Sequence, residues 1–396
     1  CDAPERRFAM RNLELYVHIP FCIRKCAYCD FLSMSAGRDL QRQYIEALKK
    51  EIRAFPNAEQ YCVSTVFFGG GTPSILPWEW TGDVMDALQS KFSIAPDAEI
   101  SLECNPKTAD EEKLRAYRSM GINRLSIGLQ SAHDAELAML GRVHTRDDFE
   151  QTWRMARAAG FANINVDLMS ALPGQTAESW KNTLECVLSF GPEHISAYSL
   201  IIEEGTPFYE MYREEEEQRS RGEIPEHLPS EEEERRMYEM TGELLSQAGM
   251  HRYEISNYAR TGYECRHNIG YWKRTEYAGF GLGAASLLAQ QGGGENRFTN
   301  PVRMQEYLSG GWREKEELVL GRNDQMEEFL FLGLRMMEGI KESEFVRKFG
   351  KTVDEVYGEV IERQMANGLL ARGGGRIFLT PEGIHLSNTV MAEFLL

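Results

Sequence analysis

The chain has 396 residues, 42% of them apolar, and its 61 acidic against 44 basic side chains leave a formal net charge of −17. That length accommodates one large domain plus a smaller one, with a real core. The acidic balance disfavours a broad nucleic-acid footprint, and no apolar run reaches the roughly 18 residues that a membrane span needs.

Much of the negative charge lies in the runs 214–217 and 231–234, read as solvated helix faces. The 8 cysteines show no disulfide-like framework and suit a reducing cytoplasm, the expected location. No signal-peptide pattern precedes the first expected strand. The chain begins at Cys1 rather than Met, so its true start is left open.

In chain order, residues 13–19 read as a strand with Leu13, Leu15, Val17 and Ile19 on one face, ended by Pro20. Leu40, Tyr44, Ile45, Leu48, Ile52 and Phe55 then mark a helix face. Strands follow at 65–68, 100–103, 124–130, 164–168 and 194–200, with helices around 80–92, 109–120, 134–140, 147–159 and 177–189 between them. Six strand–helix units with a period of about 30–40 residues argue for a parallel sheet with crossover helices. An open doubly wound sheet and a curved partial barrel both satisfy that pattern. Special polar residues recur just past successive strand ends: a cysteine loop, a glycine run, Glu103, Gln130 and Asp167. In a barrel those ends converge on one mouth, which favours a six-unit partial (β/α) barrel.

Beyond Leu200 the pattern loosens. The acidic stretch 208–247 reads as helical, broken near 222–229, and 252–259 has strand character. A Cys265-to-Trp272 stretch and a glycine-rich segment, 278–294, follow. Helices near 324–337, 342–349 and 352–366, a hairpin of 369–370 against 377–379 and a last helix suggest a small winged-helix-like domain. No basic stripe marks that domain for nucleic acid. The expected division is 11–205 as barrel core, 206–322 as extension and 323–396 as C-terminal domain.

The loop after the first strand carries Cys22, Cys26 and Cys29 at C-x3-C-x2-C spacing. Three thiolates on one short loop can hold an iron–sulfur cluster, leaving one iron of a [4Fe–4S] cube for another ligand. A three-cysteine zinc site is the rival, although structural zinc usually takes a fourth ligand and paired knuckles. Gly69-Gly70-Gly71-Thr72-Pro73 lets the backbone approach a ligand closely. No G-K-[ST] follows to make it a phosphate loop, and a tight strand-to-helix turn accounts for one or two of the glycines but poorly for three.

Tyr16-Val17-His18-Ile19-Pro20-Phe21-Cys22 with Cys26 and Tyr28-Cys29 resembles the radical S-adenosylmethionine (SAM) superfamily. The resemblance implies a partial barrel in which SAM occupies the open iron and an electron from the cluster cleaves it to a 5′-deoxyadenosyl radical. Over about residues 11–390, Gly70-Gly71-Thr72-Pro73, Glu103, 124–130, Arg142, Asp167-Leu168 and Leu172-Pro173-Gly174-Gln175 are similar to the oxygen-independent coproporphyrinogen III dehydrogenase lineage. That similarity implies SAM contacts from Tyr16, Tyr28, Gly70, Gly71, Thr72, Glu103, Gln130, Arg142 and Asp167, and no catalytic side chain beyond the cluster and SAM site. From the residues alone, Glu103, Gln130, Asp167 and Arg142 could equally be ordinary strand-end and surface groups.

Three departures from the dehydrogenase stand out: Phe31 replaces a further cysteine, no long arm precedes the first strand, and His267-Asn268-x-x-Tyr271-Trp272 is present. These resemble the HemW haem-chaperone branch, which implies haem as a third cofactor, held by His267, Asn268, Tyr271 and Trp272. An imidazole can ligate haem iron while aromatics pack on the porphyrin; Cys265 and His18 are further candidates. The alternative is a structural loop with His267 and Asn268 bonding the backbone. The implied function is binding haem and handing it to an acceptor protein, expected in the respiratory membrane, with a homodimer left open. Oxidative decarboxylation of coproporphyrinogen III is the competing enzyme reading, and a radical SAM methyltransferase or haem-degrading relative the third. Whether the chain is an enzyme is open, although SAM cleavage fits its ligands.

Overall fold

The computed structural model describes residues 10–290, 294–314 and 316–395. Residues 1–9, on which the expected lack of a signal segment bears, and 291–293 of the glycine-rich segment lie outside the described residues. Six strands run parallel in sequence order: β1 (Arg11–Ile19), β2 (Tyr61–Gly70), β3 (Ser93–Cys104), β4 (Arg124–Gln130), β5 (Ile164–Ser170) and β6 (His194–Ser199). The crossovers are α1 (Arg38–Ala54), α2 (Trp78–Lys91), α3 (Glu111–Ser119), α4 (Asp134–Met139) with α5 (Arg146–Ala158), and α6 (Ala177–Ser189). Local sequence starts these helices: Asp110 caps α3, and Thr145 and Thr176 close capping boxes on α5 and α6.

The two faces of each strand have opposite chemistry, as period-two alternation demands. Leu13, Leu15, Val17 and Ile19 are at most 1% exposed and pack into the main core, as do Leu125 and Ile127 of β4 and Val166 and Leu168 of β5. The alternate positions, among them Tyr16, Glu103, Arg124, Ser126, Asn165, Asp167, Ser196 and Tyr198, line one internal cavity. Residues of β1 and β6 face that same cavity although these two strands do not pair. The sheet therefore curls into a barrel that stays open between its first and sixth strands, the expected partial (β/α) barrel.

Beyond β6 come the acidic α7 (Pro207–Ser220) and α8 (Glu231–Gln247), whose glutamates are mostly exposed. The expected strand at 252–259 is two short ones, β7 (His251–Arg252) and β8 (Asn257–Ala259), in an antiparallel hairpin on β6. Glu254 causes the turn, accepting from Ser256 N (2.7 Å) and Asn257 Nδ2 (2.7 Å). The stretch weighed as a loop is instead helix α9 (Arg266–Trp272), set against the N-terminal ends of β1 to β4. Next, β9 (Tyr277–Phe280) runs parallel beside β1, and β10 (Ala285–Ala289), β11 (Glu295–Thr299) and β12 (Glu316–Leu320) extend the sheet to twelve strands, with α10 (Met304–Leu308) between the last two.

A second core gathers α11 (Arg322–Gly333), α12 (Glu342–Phe349) and α13 (Val353–Ala366) with the three-stranded sheet of β13 (Ile340–Lys341), β14 (Leu370–Gly373) and β15 (Arg376–Leu379), followed by α14 (Pro381–His385) and α15 (Ser387–Ala392). Helices against a small hairpin sheet give the expected winged-helix-like form.

A methyl built on Gly270 of α9 would fall on the Glu14 carboxyl. Gly270→Ala is therefore expected to lift α9 from the barrel floor and cost about 1–3 kcal/mol, read as a lower urea midpoint. Adding Glu14→Ala, which clears the space, should recover part of the loss. An unchanged midpoint in the single variant would show that α9 does not seat this closely.

Candidate cofactor site

The C-terminal ends of the strands form a mouth with a cavity of about 360 Å³. Cys22, Cys26, Cys29 and Tyr28 reach it from the loop after β1; Gly70, Gly71 and Thr72 from the end of β2; Glu103, Gln130 and Asp167 from β3, β4 and β5; and Arg142 from the turn after α4. These are the expected cluster ligands and SAM residues, apart from Tyr16. That ring lines the deeper cavity, its hydroxyl 3.0 Å from His18 Nδ1.

Close backbone approach explains the glycine run. A Cβ on Gly71 would stand 2.8 Å from the Phe21 carbonyl oxygen, while its own N–H donates to the Ile19 carbonyl at 2.8 Å. Gly70 takes φ +113° beneath the His18 ring, a conformation costly for other residues. Its N–H donates to Glu103 Oε2 at 3.1 Å. Burial, with Asp167 nearby, pushes the Glu103 carboxyl up to about 8 despite that bond.

Asn105, missed by sequence reasoning, ties the mouth together. Its Nδ2 donates to Thr72 Oγ1 at 2.9 Å, and its Oδ1 accepts from Arg142 Nη2 at 2.7 Å. Arg142 also donates to the Gly128 carbonyl (2.7 Å) and approaches Cys26 Sγ at 3.7 Å, while Thr72 Oγ1 lies 3.5 Å from Cys22 Sγ. Hydrogen bonds to sulfur of this kind tune iron–sulfur clusters. The only signal in the sequence was position, a polar residue just past the end of β3. Among the described residues no three His, Cys, Asp or Glu side chains are placed to hold a single metal ion.

Below the mouth lies a second cavity of about 180 Å³, the barrel lumen, with α9 as its floor. His267, Asn268 and Tyr271 line it; Trp272 does not, packing instead under Arg335, just past the end of α11, at 4.3 Å. His267 is 1% exposed and stacks on Phe67. Its Nδ1 is 2.7 Å from Thr65 Oγ1, and its Nε2 is buried with no partner. Burial, reinforced by Arg124, drops its pKa to about 3, so the ring is neutral. Both His18 nitrogens are engaged, by Tyr16 and the Leu32 carbonyl. Cys265 is fully buried at the start of α9, its thiol pushed up to about 12 by desolvation.

Residues 16–187 match the radical SAM superfamily and residues 320–386 the HemN C-terminal domain. Barrel, mouth and tail thus define a radical SAM protein. Over 96% of this chain and 98% of the relative, it is 35% identical to the heme chaperone HemW of Bacillus subtilis. To the heme chaperone HemW of Escherichia coli it is 31% identical over 97% and 98% of the two chains. The chain belongs to the HemW family. The solved coproporphyrinogen III oxidase HemN of Escherichia coli, a radical SAM enzyme, superposes with a TM-score of 0.80 over 98% of this chain and 91% of that one; at 23% identity this bears on the fold alone. No helix among the described residues is long and apolar enough to cross a membrane.

Removing Asn105 leaves Thr72 and Arg142 short of a partner in a buried site. Asn105→Ala is expected to cost about 1–3 kcal/mol in urea unfolding, and Asn105→Asp less, since it keeps the acceptor for Arg142. Glu14 supplies a pH test. Burial and the neighbouring Glu99 raise its carboxyl from 4.5 to about 9. The folded state thus holds a proton that the unfolded chain releases above about pH 4.5, and this stabilisation is lost as pH climbs toward 9. Unfolding free energy should fall between pH 5 and 9, and Glu14→Gln should flatten that fall; equal slopes would place Glu14 in the ordinary carboxylate range.

Proposed function

We infer that this chain is a haem chaperone that carries a [4Fe–4S] cluster on Cys22, Cys26 and Cys29 and SAM among Tyr28, Gly70, Gly71, Thr72, Glu103, Gln130, Arg142 and Asp167, with Tyr16 below them. It takes up haem and passes it to an acceptor protein, expected to be a respiratory one. Together the cluster and SAM supply one-electron chemistry at the mouth. In this reading residues 11–205 are the cofactor-bearing core, 206–322 bring the haem-binding α9, and 323–396 form the C-terminal domain.

The observation that carries the haem assignment is the His267 ring. A metal-bound imidazole is neutral, has one nitrogen fixed by a hydrogen bond and leaves the other for the metal. His267 meets all three conditions: it is neutral, anchored on Thr65 and orphaned at Nε2. Buried polar atoms without partners are rare and call for a reason. The lumen alone is smaller than the roughly 300–1,000 Å³ of a typical ligand pocket, so a porphyrin does not fit in it. The lumen shares Glu103, Ser126, Asp167 and Tyr198 with the mouth cavity, and the haem site of this reading is the combined space, which haem and SAM occupy in turn rather than together. Phe31 and Ile201 stand at the mouth, 63% and 64% exposed, apolar surface suited to a haem edge or an acceptor. Phe31 occupies the position at which the dehydrogenase resemblance calls for another cysteine.

The test is an anaerobic haem titration followed by absorption, on wild-type protein with its cluster reconstituted and on His267→Ala. Saturation near one haem per chain, weakened at least tenfold by the substitution, is expected. Tight binding that the substitution leaves unchanged would move the iron ligand elsewhere, and a wild type without specific binding would sink the chaperone reading.

A further inference from the structure

Arg124 opens β4 on the lumen side and is 2% exposed. Its Nε is buried with no hydrogen-bond partner. A guanidinium keeps its charge at every physiological pH, so an enclosed one requires a counter-charge. The groups that attract it through space are the Cys265 thiol, Glu99, Tyr253 and Asp167, and the two carboxylates among them bond other partners. Glu99 accepts from the N–H groups of Arg266 (3.1 Å) and His267 (3.3 Å) and from the Cys265 thiol (3.6 Å). Asp167 accepts from Ser126 Oγ (3.0 Å) and Asn165 Nδ2 (2.7 Å). Glu103, the third carboxyl on the lumen wall, is pushed up to about 8 and holds its proton at neutral pH. The neutral His267, with its free Nε2, lines the same cavity.

We propose that Arg124 anchors a carboxylate entering the lumen from the mouth, either a propionate arm of a tetrapyrrole or a free short-chain carboxylate. The planar fork of arginine matches a carboxylate in shape. No carboxylate bonds the guanidinium, so its N–H groups are left for an incoming acceptor, and a singly charged carboxylate meets less repulsion from Asp167 and Glu99 than a doubly charged phosphate. The tetrapyrrole source rests on the haem-chaperone reading above; the free-carboxylate source does not. Within that reading, Arg124 holds the propionate end of the ligand while His267 faces the iron, which fixes the porphyrin's orientation in the barrel.

The experiment compares wild type, Arg124→Gln and Arg124→Lys in titrations with haem and with haem dimethyl ester, whose propionates are masked. In parallel, thermal melting of each protein is followed with added sodium propionate against sodium chloride at equal ionic strength. The wild type is expected to bind haem at least tenfold more tightly than the ester, and Arg124→Gln to bind both as the wild type binds the ester. Arg124→Lys keeps the charge without the fork and should retain part of the preference; it also serves if the glutamine variant does not fold. Equal binding of haem and ester, with propionate raising the melting temperature of the wild type but not of Arg124→Gln, would assign the site to a free carboxylate. A wild type with neither preference nor propionate stabilisation overturns the inference, as does a preference that survives in both variants. Failure of the wild type to bind haem at all would remove the chaperone reading and leave the propionate arm to decide this one.

Discussion

Arg124, Ser126, Asn165 and Ser196, inward-facing on β4 to β6, have been taken out of water, and the barrel tolerates burial of such groups only because most of them bond one another. Asn165 is the hub. It donates to Ser126 and Asp167 and accepts from Ser196 and from His194 Nδ1 at 2.6 Å. Neutral His194, protonated at Nδ1, then accepts at Nε2 from the Tyr253 hydroxyl (2.8 Å), which itself accepts from the Cys265 N–H (3.3 Å). From Cys265 the chain runs to Glu99 and on to the N–H groups that begin α9. A continuous set of hydrogen bonds thus joins Asp167 beneath the mouth to the helix that closes the floor.

This arrangement sets the electrostatics of the interior. Burial keeps His194 and His267 uncharged and holds protons on Glu14 and Glu103, so Arg124 is the prominent cation among mostly neutral groups. Neutral imidazole is the form that can ligate a metal. Arg124 Nε, His267 Nε2 and Glu14 Oε2, all buried without partners, lie around the lumen and α9, while at the mouth Asn105 bonds both Arg142 and Thr72. The lumen thus retains unmet bonding capacity.

The points at which sequence reasoning fell short share a cause. The Cys265-to-Trp272 stretch is too short for helical periodicity to be visible, and Glu99 holds its first N–H groups from a strand 166–168 residues away. Tyr271 and Trp272 are adjacent, yet one faces the lumen and the other packs under Arg335, because neighbouring positions on a helix point in different directions. Asn105 gave no signal beyond its position past β3, since its partners come from the turns after β2 and α4. Within residues 252–259 a turn imposed by Glu254 divides what alternation alone would read as one strand.

The six parallel strands, the helices between them, the cysteine loop, the glycine run and the polar residues at strand ends were all legible in the sequence. Each is set by interactions within a few residues: side-chain alternation, caps, and backbone freedom at glycine. Only the tertiary structure decided that Tyr16 belongs to the lumen, that His267 is a buried neutral imidazole with one nitrogen free, and that Arg124 lacks a bonded counter-charge. Those properties depend on desolvation and on which distant groups stand opposite, and both are set only when the sheet curls and α9 closes its floor.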